Sequence, residues 1–194
     1  MKEIIIIGMG GHAKSITDTI EKANEYKIIG YVSKEKNEGL NYPYIGDDEM
    51  LCDLYRNGIS YAALGIGFLG KGNLRQRLYE KLKKIGYVLP AIVDISANVS
   101  NYAEINEGAF IGKNTVVNRK ACIGKCSIIN TSAIVEHDSI VGDFSHIAVG
   151  AVICGDVHIG KSTLVGANAT IIQQVNIGDN KIIGAGEIVK RDIL

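Results

Sequence analysis

The sequence predicts two domains: a small parallel α/β sheet over residues 1–90 and a triangular solenoid of short stacked strands over residues 91–194. Two observations support this division. The first half alternates apolar runs with amphipathic helical segments, which is typical of a parallel α/β sheet. In the second half, every sixth residue from Val93 to Val189 is Val or Ile at seventeen successive positions. A fixed period of this kind indicates a repeat architecture.

The first domain opens with an apolar run, Ile4 to Ile7, which has the length of a buried strand. A glycine-rich turn follows, and then strands and helices alternate, so right-handed connections in a parallel sheet are expected. Asp47 or Asp48 is the candidate N-cap of the second helix. The remaining predicted elements are helices over residues 12–24, up to Arg56 and over 73–85, strands over 27–32, 60–66 and 87–89, and a turn or short strand over 42–46.

The period of six differs from the helical period of 3.6 and the strand period of two. In most repeats the residue two positions before the Val or Ile is small, as Ala133 is before Val135. Small-x-large places both side chains on the inner side of a short strand. Glycine often follows, as Gly142 follows Val141, and we expect its tolerance of positive φ to form the bend. Three strand-and-bend units make a coil of eighteen residues, and coils stack at about 4.8 Å.

Charge and cysteine content narrow the classes of function. The chain carries 21 basic and 21 acidic residues, so the basic footprint of a nucleic-acid-binding protein is absent. The four cysteines form no C-x-x-C pair and are expected as buried small hydrophobes, without a metal. The N-terminal apolar run is too short for a signal peptide or membrane span. We expect a soluble, cytoplasmic protein that binds neither nucleic acid nor membrane.

The glycine turn is the first candidate site. Residues 8–13 read Gly-Met-Gly-Gly-His-Ala and fit G-x-G-x-x-A, the looser form of the Rossmann-like dinucleotide fingerprint. Glycines allow close approach of a ligand, and a helix start offers N–H groups to phosphate. However, Ser33 and Lys34 follow the second strand where that fingerprint requires an acidic residue. A site for a nucleotide-linked or similar small molecule, a dinucleotide redox site and plain strand–helix packing all remain open.

Two segments, residues 7–13 and residues 130–147, carry a resemblance to a known family. The chain resembles the hexapeptide-repeat sugar acetyltransferases of the sialic acid O-acetyltransferase and bacillosamine N-acetyltransferase family. The resemblance covers nearly the whole chain and implies that the solenoid is a left-handed parallel β-helix. It implies acetyl transfer from acetyl-coenzyme A to an amino or hydroxyl group of a sugar, expected to be nucleotide-linked, in surface glycan synthesis. It also implies a homotrimer with active sites between subunits.

The resemblance implies roles for three residues of the second segment. His137 is expected to be the general base, Asp138 to tune it, and His146 to contact acetyl-coenzyme A. The chemistry suits a histidine, since a neutral imidazole can remove the proton of the attacking hydroxyl or amine near neutral pH. A neighbouring carboxylate orients the ring. Glu136 is an alternative partner for His137, because strand alternation does not decide orientation near a bend.

The remaining site residues follow from the same resemblance and from the glycine turn. The Gly155 N–H is expected near the thioester carbonyl, and Ala167 and Ala185, one coil apart, beside the pantetheine arm. Lys190 is a candidate partner of the coenzyme phosphates or a solvated charge. Asn130 is expected to reach the neighbouring subunit's site. The acceptor-binding residues are assigned to the first domain: Gly10, Gly11, His12, Ser33, Lys34, Gly67 and Arg75.

Three other functions compete with the sugar acetyltransferase. A serine-type acetyltransferase shares the hexapeptide repeat but has a helical N-terminal part, unlike the α/β unit expected here. A non-catalytic solenoid would bind a partner through its flat faces. A hexapeptide metalloenzyme needs three histidines on adjoining coils, and the spacings of His137, His146 and His158 do not stack them.

Overall fold

The computed structural model describes residues 1–36 and 40–194. These residues form two compact units. One comprises Met1–Gly67 and Asn73–Ile92, and the other comprises Phe68–Gly72 and Val93–Leu194. The sequence analysis places a single boundary near residue 90, whereas five residues between the first unit's elements belong to the second unit.

The first unit is a parallel sheet with helices. Its elements are β1 (Lys2–Ile7), α1 (Gly11–Ala23), β2 (Tyr26–Val32), β3 (Tyr44–Gly46), α2 (Leu51–Arg56), β4 (Tyr61–Leu64) and α3 (Leu74–Ile85). Within residues 1–36 and 40–92, the strands form one sheet in the order β3-β2-β1-β4 with parallel pairing throughout. The central strand β1 is apolar from Ile4 onward because that part is fully buried. The predicted parallel α/β unit is confirmed.

Two local predictions in the first unit are wrong. Residues 87–89 do not form a strand; they make one isolated bridge, between Val88 and Tyr61. The N-cap of α2 is Met50, without a side-chain cap, instead of Asp47 or Asp48. The Asp47 carboxylate accepts a hydrogen bond from the Glu49 N–H at 2.9 Å. Asp47 therefore closes the turn before the helix, a local bond that competes with capping.

The second unit is a stack of short parallel strands. From residue 92 onward, where every residue is described, seventeen two-residue strands recur every six residues. They are β5 (Ile92–Val93), β6 (Asn98–Val99), β7 (Glu104–Ile105), β8 (Phe110–Ile111), β9 (Val116–Val117), β10 (Cys122–Ile123), β11 (Ile128–Ile129), β12 (Ile134–Val135), β13 (Ile140–Val141), β14 (His146–Ile147), β15 (Val152–Ile153), β16 (His158–Ile159), β17 (Leu164–Val165), β18 (Thr170–Ile171), β19 (Asn176–Ile177), β20 (Ile182–Ile183) and β21 (Ile188–Val189).

These strands form three flat walls because each pairs with the strand eighteen residues away. Wall 1 contains β7, β10, β13, β16 and β19; wall 2 contains β5, β8, β11, β14, β17 and β20; wall 3 contains β6, β9, β12, β15, β18 and β21. The register is constant: Val135 of β12, for example, pairs with Val117 below and Ile153 above. This arrangement is that of a left-handed parallel β-helix, so the predicted fold is confirmed.

The inward column of Val and Ile forms the core of the second unit. Val99 and Ile105 are partly buried, and the inward residues from Ile111 to Val189 are buried. The predicted inward position of Val93 is wrong. Its exposed fraction is 36%, and its neighbour Ile92 is buried instead. Strand β5 lies at the edge of wall 2, so its register is not fixed by coils on both sides.

The small residues two positions before the core column fill the corners. Where they carry hydroxyl groups, these groups bridge successive coils. The Ser139 hydroxyl donates to the Cys154 carbonyl at 2.8 Å and accepts from the Val157 N–H at 3.1 Å. Burial of a polar side chain is tolerated here because it is hydrogen-bonded.

The predicted reason for the repeat glycines is wrong. Positive φ occurs three residues after the inward Val or Ile, mostly at residues other than glycine, such as Asp138 with φ 59°. The glycines directly after the inward residue do not have positive φ. They are needed because the next coil approaches closely: a Cβ on Gly142 would lie 2.6 Å from the Gly160 carbonyl carbon. A glycine at this repeat position therefore indicates close backbone contact between successive coils.

Gly142→Ala is expected to lower the free energy of unfolding by about 1–3 kcal/mol, because backbone of the next coil must shift to admit the methyl group. Gly184→Ala is the matched control. Gly184 has the same repeat position, but its Cβ would meet only the Glu187 side chain, at 3.3 Å. The control should change stability by less than about 0.5 kcal/mol. Urea unfolding followed by circular dichroism measures both, and equal losses would contradict the close-approach explanation.

Candidate active site

His137 and Asp138 lie on the exposed bend that follows β12. The His137 Nδ1 atom is 2.9 Å from Asp138 Oδ2. An ionised carboxylate only accepts hydrogen bonds, so Nδ1 carries the proton and Nε2 presents a lone pair. The hydrogen bond from His137 lowers the pKa of Asp138, and the charge of nearby Lys120 acts in the same direction. Asp138 therefore stays ionised and keeps orienting the ring as pH falls to the ordinary carboxyl range.

The geometry distinguishes the two candidate partners of His137. The Glu136 carboxylate accepts from the Asn118 side-chain amide at 2.8 Å and from the His137 backbone N–H at 3.3 Å. These bonds direct Glu136 to the backbone and to the coil below, whereas the Asp138 carboxylate meets the imidazole itself. On its other side Asp138 Oδ1 lies 3.8 Å from Lys120 Nζ, one coil below. The ring–carboxylate pair is thus His137 with Asp138.

Gly155 lies one coil above His137, directly against the imidazole. A Cβ built on Gly155 would be 2.7 Å from His137 Nε2 and 2.6 Å from Cε1. The absence of a side chain at Gly155 is therefore what leaves room for the ring. The Gly155 carbonyl accepts from the Gln174 N–H at 3.1 Å. The Gly155 N–H donates to no backbone carbonyl among the described residues, so this group is available to bind an oxyanion.

His146 occupies a different environment on wall 2. Its ring is buried, with Nδ1 2.7 Å from the Phe68 carbonyl oxygen and Nε2 3.2 Å from the Asn130 amide nitrogen. The structure therefore brings Asn130 and His146 together, one coil apart, and adds Phe68, which the sequence analysis does not select.

The predicted coenzyme-contact residues lie further along the β-helix. Ala167 and Ala185 occupy equivalent positions on successive coils: the Ala167 carbonyl accepts from the Gly186 N–H at 2.8 Å. Ala185 and Lys190 are exposed, and Ala167 is partly buried. Their predicted contacts with acetyl-coenzyme A stay predictions.

The first unit contains a separate cleft at the carboxyl ends of its central strands. The cleft has a volume of about 100 Å³, and its lining includes Gly8 after β1, Ser33 and Lys34 after β2, and Asp48. Ligands of open parallel sheets bind outside the carboxyl ends of the strands. Asp48 is an acidic residue of this lining, and its carboxylate lies 3.8 Å from Lys81 Nζ. It comes from a later loop, so no local motif reveals it.

The other predicted acceptor-binding residues divide into two groups. Gly10, Gly11 and His12 form the turn into α1, and a Cβ on Gly67 would lie 3.8 Å from the His12 Cβ. Arg75 is 4% exposed, and its guanidinium donates to the carbonyls of Leu64 and Ile66. Arg75 thereby holds the end of β4. Whether any of these residues contacts an acceptor stays a prediction.

Metal-binding clusters and membrane-spanning helices are both absent from the described part of the chain. In residues 1–36 and 40–194, no three His, Cys, Asp or Glu side chains are grouped to hold a metal ion. Over the same residues no helix combines the length and apolar character needed to cross a bilayer.

Comparison with known proteins adds independent information. Residues 3–82 match the PglD N-terminal domain family. The structure is similar to that of a histidine-to-alanine mutant of GDP-perosamine N-acetyltransferase from Caulobacter crescentus, solved in complex with CoA and GDP-perosamine. The TM-score is 0.94 and the sequence identity 32%, with 100% of this chain and 90% of that chain covered.

The chain belongs to the PglD family of sugar N-acetyltransferases.

A second PglD-family relative has the same fold over its length. The acetyltransferase domain of PglB from Neisseria gonorrhoeae FA1090, solved with acetyl coenzyme A, has a TM-score of 0.91 and 27% identity, with 99% of this chain and 92% of that chain covered. WeeI from Acinetobacter baumannii AYE has a TM-score of 0.56 and 19% identity, with 98% of this chain and 97% of that chain covered. This similarity shows the fold alone.

This PglD-family chain is an acetyl-coenzyme A-dependent sugar acetyltransferase of glycan synthesis, as the resemblance implies. The family assignment and the α/β N-terminal unit exclude the serine-type acetyltransferase. They also exclude the non-catalytic solenoid.

Proposed function

We propose that the protein transfers acetyl from acetyl-coenzyme A to the amino group of a sugar linked to a nucleoside diphosphate, with His137 as general base. The observation that carries the proposal is the position of His137 Nε2 beside the Gly155 backbone (2.7 Å from a built Cβ). A proton acceptor and a backbone N–H that donates to no described carbonyl therefore belong to residues in direct contact on successive coils. That pairing is what acyl transfer from a thioester requires.

In the proposed reaction the amine nitrogen attacks the thioester carbonyl while His137 Nε2 removes one of its protons. A C–N bond forms, and the carbonyl oxygen becomes an oxyanion that the Gly155 N–H stabilises. The C–S bond then breaks, and the protonated imidazole returns the proton to the departing coenzyme A thiolate. Asp138 stabilises the transient imidazolium through its 2.9 Å hydrogen bond to Nδ1.

The acceptor is proposed to bind with its nucleotide in the first unit's cleft. Ser33 and Lys34 line this cleft together with Asp48. Lys34 suits a phosphate, and a carboxylate suits the N–H donors of a base edge. The GDP-perosamine complex of the Caulobacter crescentus relative supports a guanine nucleotide as the first choice to test. Residues Gly10, Gly11 and His12 are proposed to approach the phosphates at the start of α1.

The test is a panel of GDP-, UDP- and CMP-linked amino sugars, with acetyl-coenzyme A and thiol release as the signal. A GDP-linked sugar with a free amine is expected to give the highest kcat/KM and an N-acetylated product by mass spectrometry. The matched sugar with a hydroxyl group in place of the amine is the control. If the hydroxyl sugar is acetylated equally fast, the proposal of N-acetylation is wrong.

The proposal includes a homotrimer. The outward residues of wall 3 are mostly apolar beyond Asn98: they are Val116, Ile134, Val152, Thr170 and Ile188. A stripe of this kind on a flat wall suits burial against another copy, and a cyclic trimer lets each copy bury one face. Sedimentation equilibrium should give three times the chain mass of 20.9 kDa, and a monomer would remove the intersubunit role of Asn130. Since both substrates are soluble phosphorylated metabolites, the proposed location is the cytoplasm.

A further inference from the structure

Arg119 and Lys120 lie one coil below His137 and Asp138, at the same two positions of the bend that follows a wall 3 strand. The two bends are in direct backbone contact, because the Asp138 N–H donates to the Arg119 carbonyl at 3.0 Å. The Lys120 ammonium lies 3.8 Å from Asp138 Oδ1, so its charge is matched by the carboxylate that orients His137. Arg119 is the second cation beside the proposed base.

The Arg119 guanidinium is oriented by an aromatic ring and keeps its hydrogen-bond donors free. Its central carbon lies 3.7 Å from the centroid of the Tyr102 ring, a cation–π contact with the coil below. Both residues are exposed, Tyr102 to 64%. Within residues 1–36 and 40–194, no oxygen accepts a hydrogen bond from this guanidinium and no carboxylate pairs with it. Arg119 therefore presents an unoccupied planar fork of N–H donors to solvent.

A phosphate group of the acceptor suits this fork, which matches phosphate oxygens with two parallel hydrogen bonds. In a sugar linked to a nucleoside diphosphate, one phosphate is attached to the anomeric carbon, so at most one sugar ring separates it from an amine on that ring. When the amine lies at His137 Nε2, the sugar-linked phosphate must lie within about two coil spacings of the base, roughly 10 Å. Arg119, one coil from His137, is within this range.

The two substrates are expected to approach His137 from opposite directions along the β-helix. Gly155 and the predicted coenzyme-contact residues Ala167 and Ala185 all belong to coils above His137. The thioester then arrives from above and leaves the lower side of the imidazole for the acceptor. Arg119 lies on this lower side, so the fork is placed where the acceptor is expected and where the coenzyme is not.

We propose that Arg119, held on the Tyr102 ring, binds the sugar-linked phosphate of the acceptor. The inference rests on the proposed function, because it takes the acceptor to be a nucleoside diphosphate sugar whose amine meets His137. The phosphate does not change its charge during acetyl transfer, so Arg119 contributes equally to substrate and transition state. Its removal should therefore raise the acceptor KM and leave kcat almost unchanged.

The test compares wild type with Arg119→Gln, which keeps a polar side chain and removes the charge. Calorimetry with a GDP-linked amino sugar, in the absence of coenzyme, should show a Kd raised about tenfold. The acceptor KM should rise by the same factor, while kcat and the KM for acetyl-coenzyme A stay within about threefold. The methyl glycoside of the same amino sugar has no phosphate, so its kcat/KM should be equal in the two proteins.

Two further variants separate a specific contact from a change in net charge. Lys125→Gln is the matched control, because Lys125 is exposed and has the same repeat position as Arg119 on the next bend of the coil. It removes one positive charge at the same height and should leave the acceptor Kd unchanged. Tyr102→Leu keeps the charge of Arg119 without the ring that orients it, and should raise the Kd about threefold.

An unchanged acceptor Kd in Arg119→Gln would overturn the inference, as would an equal rise in Lys125→Gln or an equal loss of activity with the methyl glycoside. Binding requires no turnover, so it separates this inference from the proposed function. A wild type that binds the acceptor through Arg119 but transfers no acetyl group would contradict the proposed function alone. An active wild type whose acceptor KM does not depend on Arg119 would contradict only the phosphate contact.

Discussion

His137→Ala is expected to lower kcat/KM by about 10²–10⁴, the usual contribution of a general base. The attacking amine must lose a proton as it forms the C–N bond, and His137 Nε2 carries the lone pair that can take it. Asp138 does not replace it, because its carboxylate lies on the Nδ1 side of the ring, a ring's width from the position of Nε2. Thiol release with a GDP-linked amino sugar measures the effect.

The control for this variant is His158→Ala. His158 is also an exposed histidine of the β-helix, but it lies on wall 1 and outside the repeat segment that carries His137. It should retain full activity. The Kd of His137→Ala for acetyl-coenzyme A should remain close to wild type, since the base acts on the acceptor. A loss of less than about tenfold in kcat/KM would exclude His137 as the base.

The hexapeptide pattern predicts most of the second unit because one residue in six must point inward. A shift of the strand register along the sequence would place charged bend residues in the core. The pattern therefore predicts the three walls, the register of the strands and the successive coils on which His137 and Gly155 lie. It fails at Val93, where a coil lies on one side only and packing no longer enforces the register.

The identity of the bend residues is less visible in the sequence. Glycine is the usual residue at positive φ, yet positions such as Asp138 and Lys120 adopt it here. The strand-to-strand hydrogen bonds on both sides hold these residues in place: the Asp138 N–H, for example, donates to the Arg119 carbonyl at 3.0 Å. Tertiary structure overrides the local preference, so composition alone misplaces the bend.

Long-range contacts within each unit account for what the sequence analysis misses. Asp48 reaches the cleft beside Ser33 and Lys34 from a later loop. Phe68 meets His146, although the two residues are 78 positions apart in the chain. Lys120 could have been found, because it lies eighteen residues before Asp138 and the repeat places it one coil below. The two other contacts follow no period, and single-sequence reasoning has no signal for them.

Gly155→Ala is expected to lower kcat by about 10²-fold while the protein stays folded. The added methyl group would lie 2.6–2.7 Å from two atoms of the His137 ring. The ring is the movable partner, so it must turn or shift, and its 2.9 Å bond to Asp138 is strained or lost. A displacement of about 1 Å at a reacting group costs about 10²-fold in rate. Steady-state kinetics at saturating acetyl-coenzyme A measures the effect.

The decisive comparison is a double-mutant cycle with His137→Ala. The three atoms nearest the built Cβ all belong to the His137 imidazole, so in the His137→Ala background the methyl group has no ring to displace. The residual rate of the double variant should then equal that of His137→Ala alone, a non-additivity expected of residues in contact. If Gly155→Ala still slows the His137→Ala enzyme tenfold, the added methyl group acts on something other than the imidazole, since alanine keeps the backbone N–H. The steric argument would then be wrong even though the site is right.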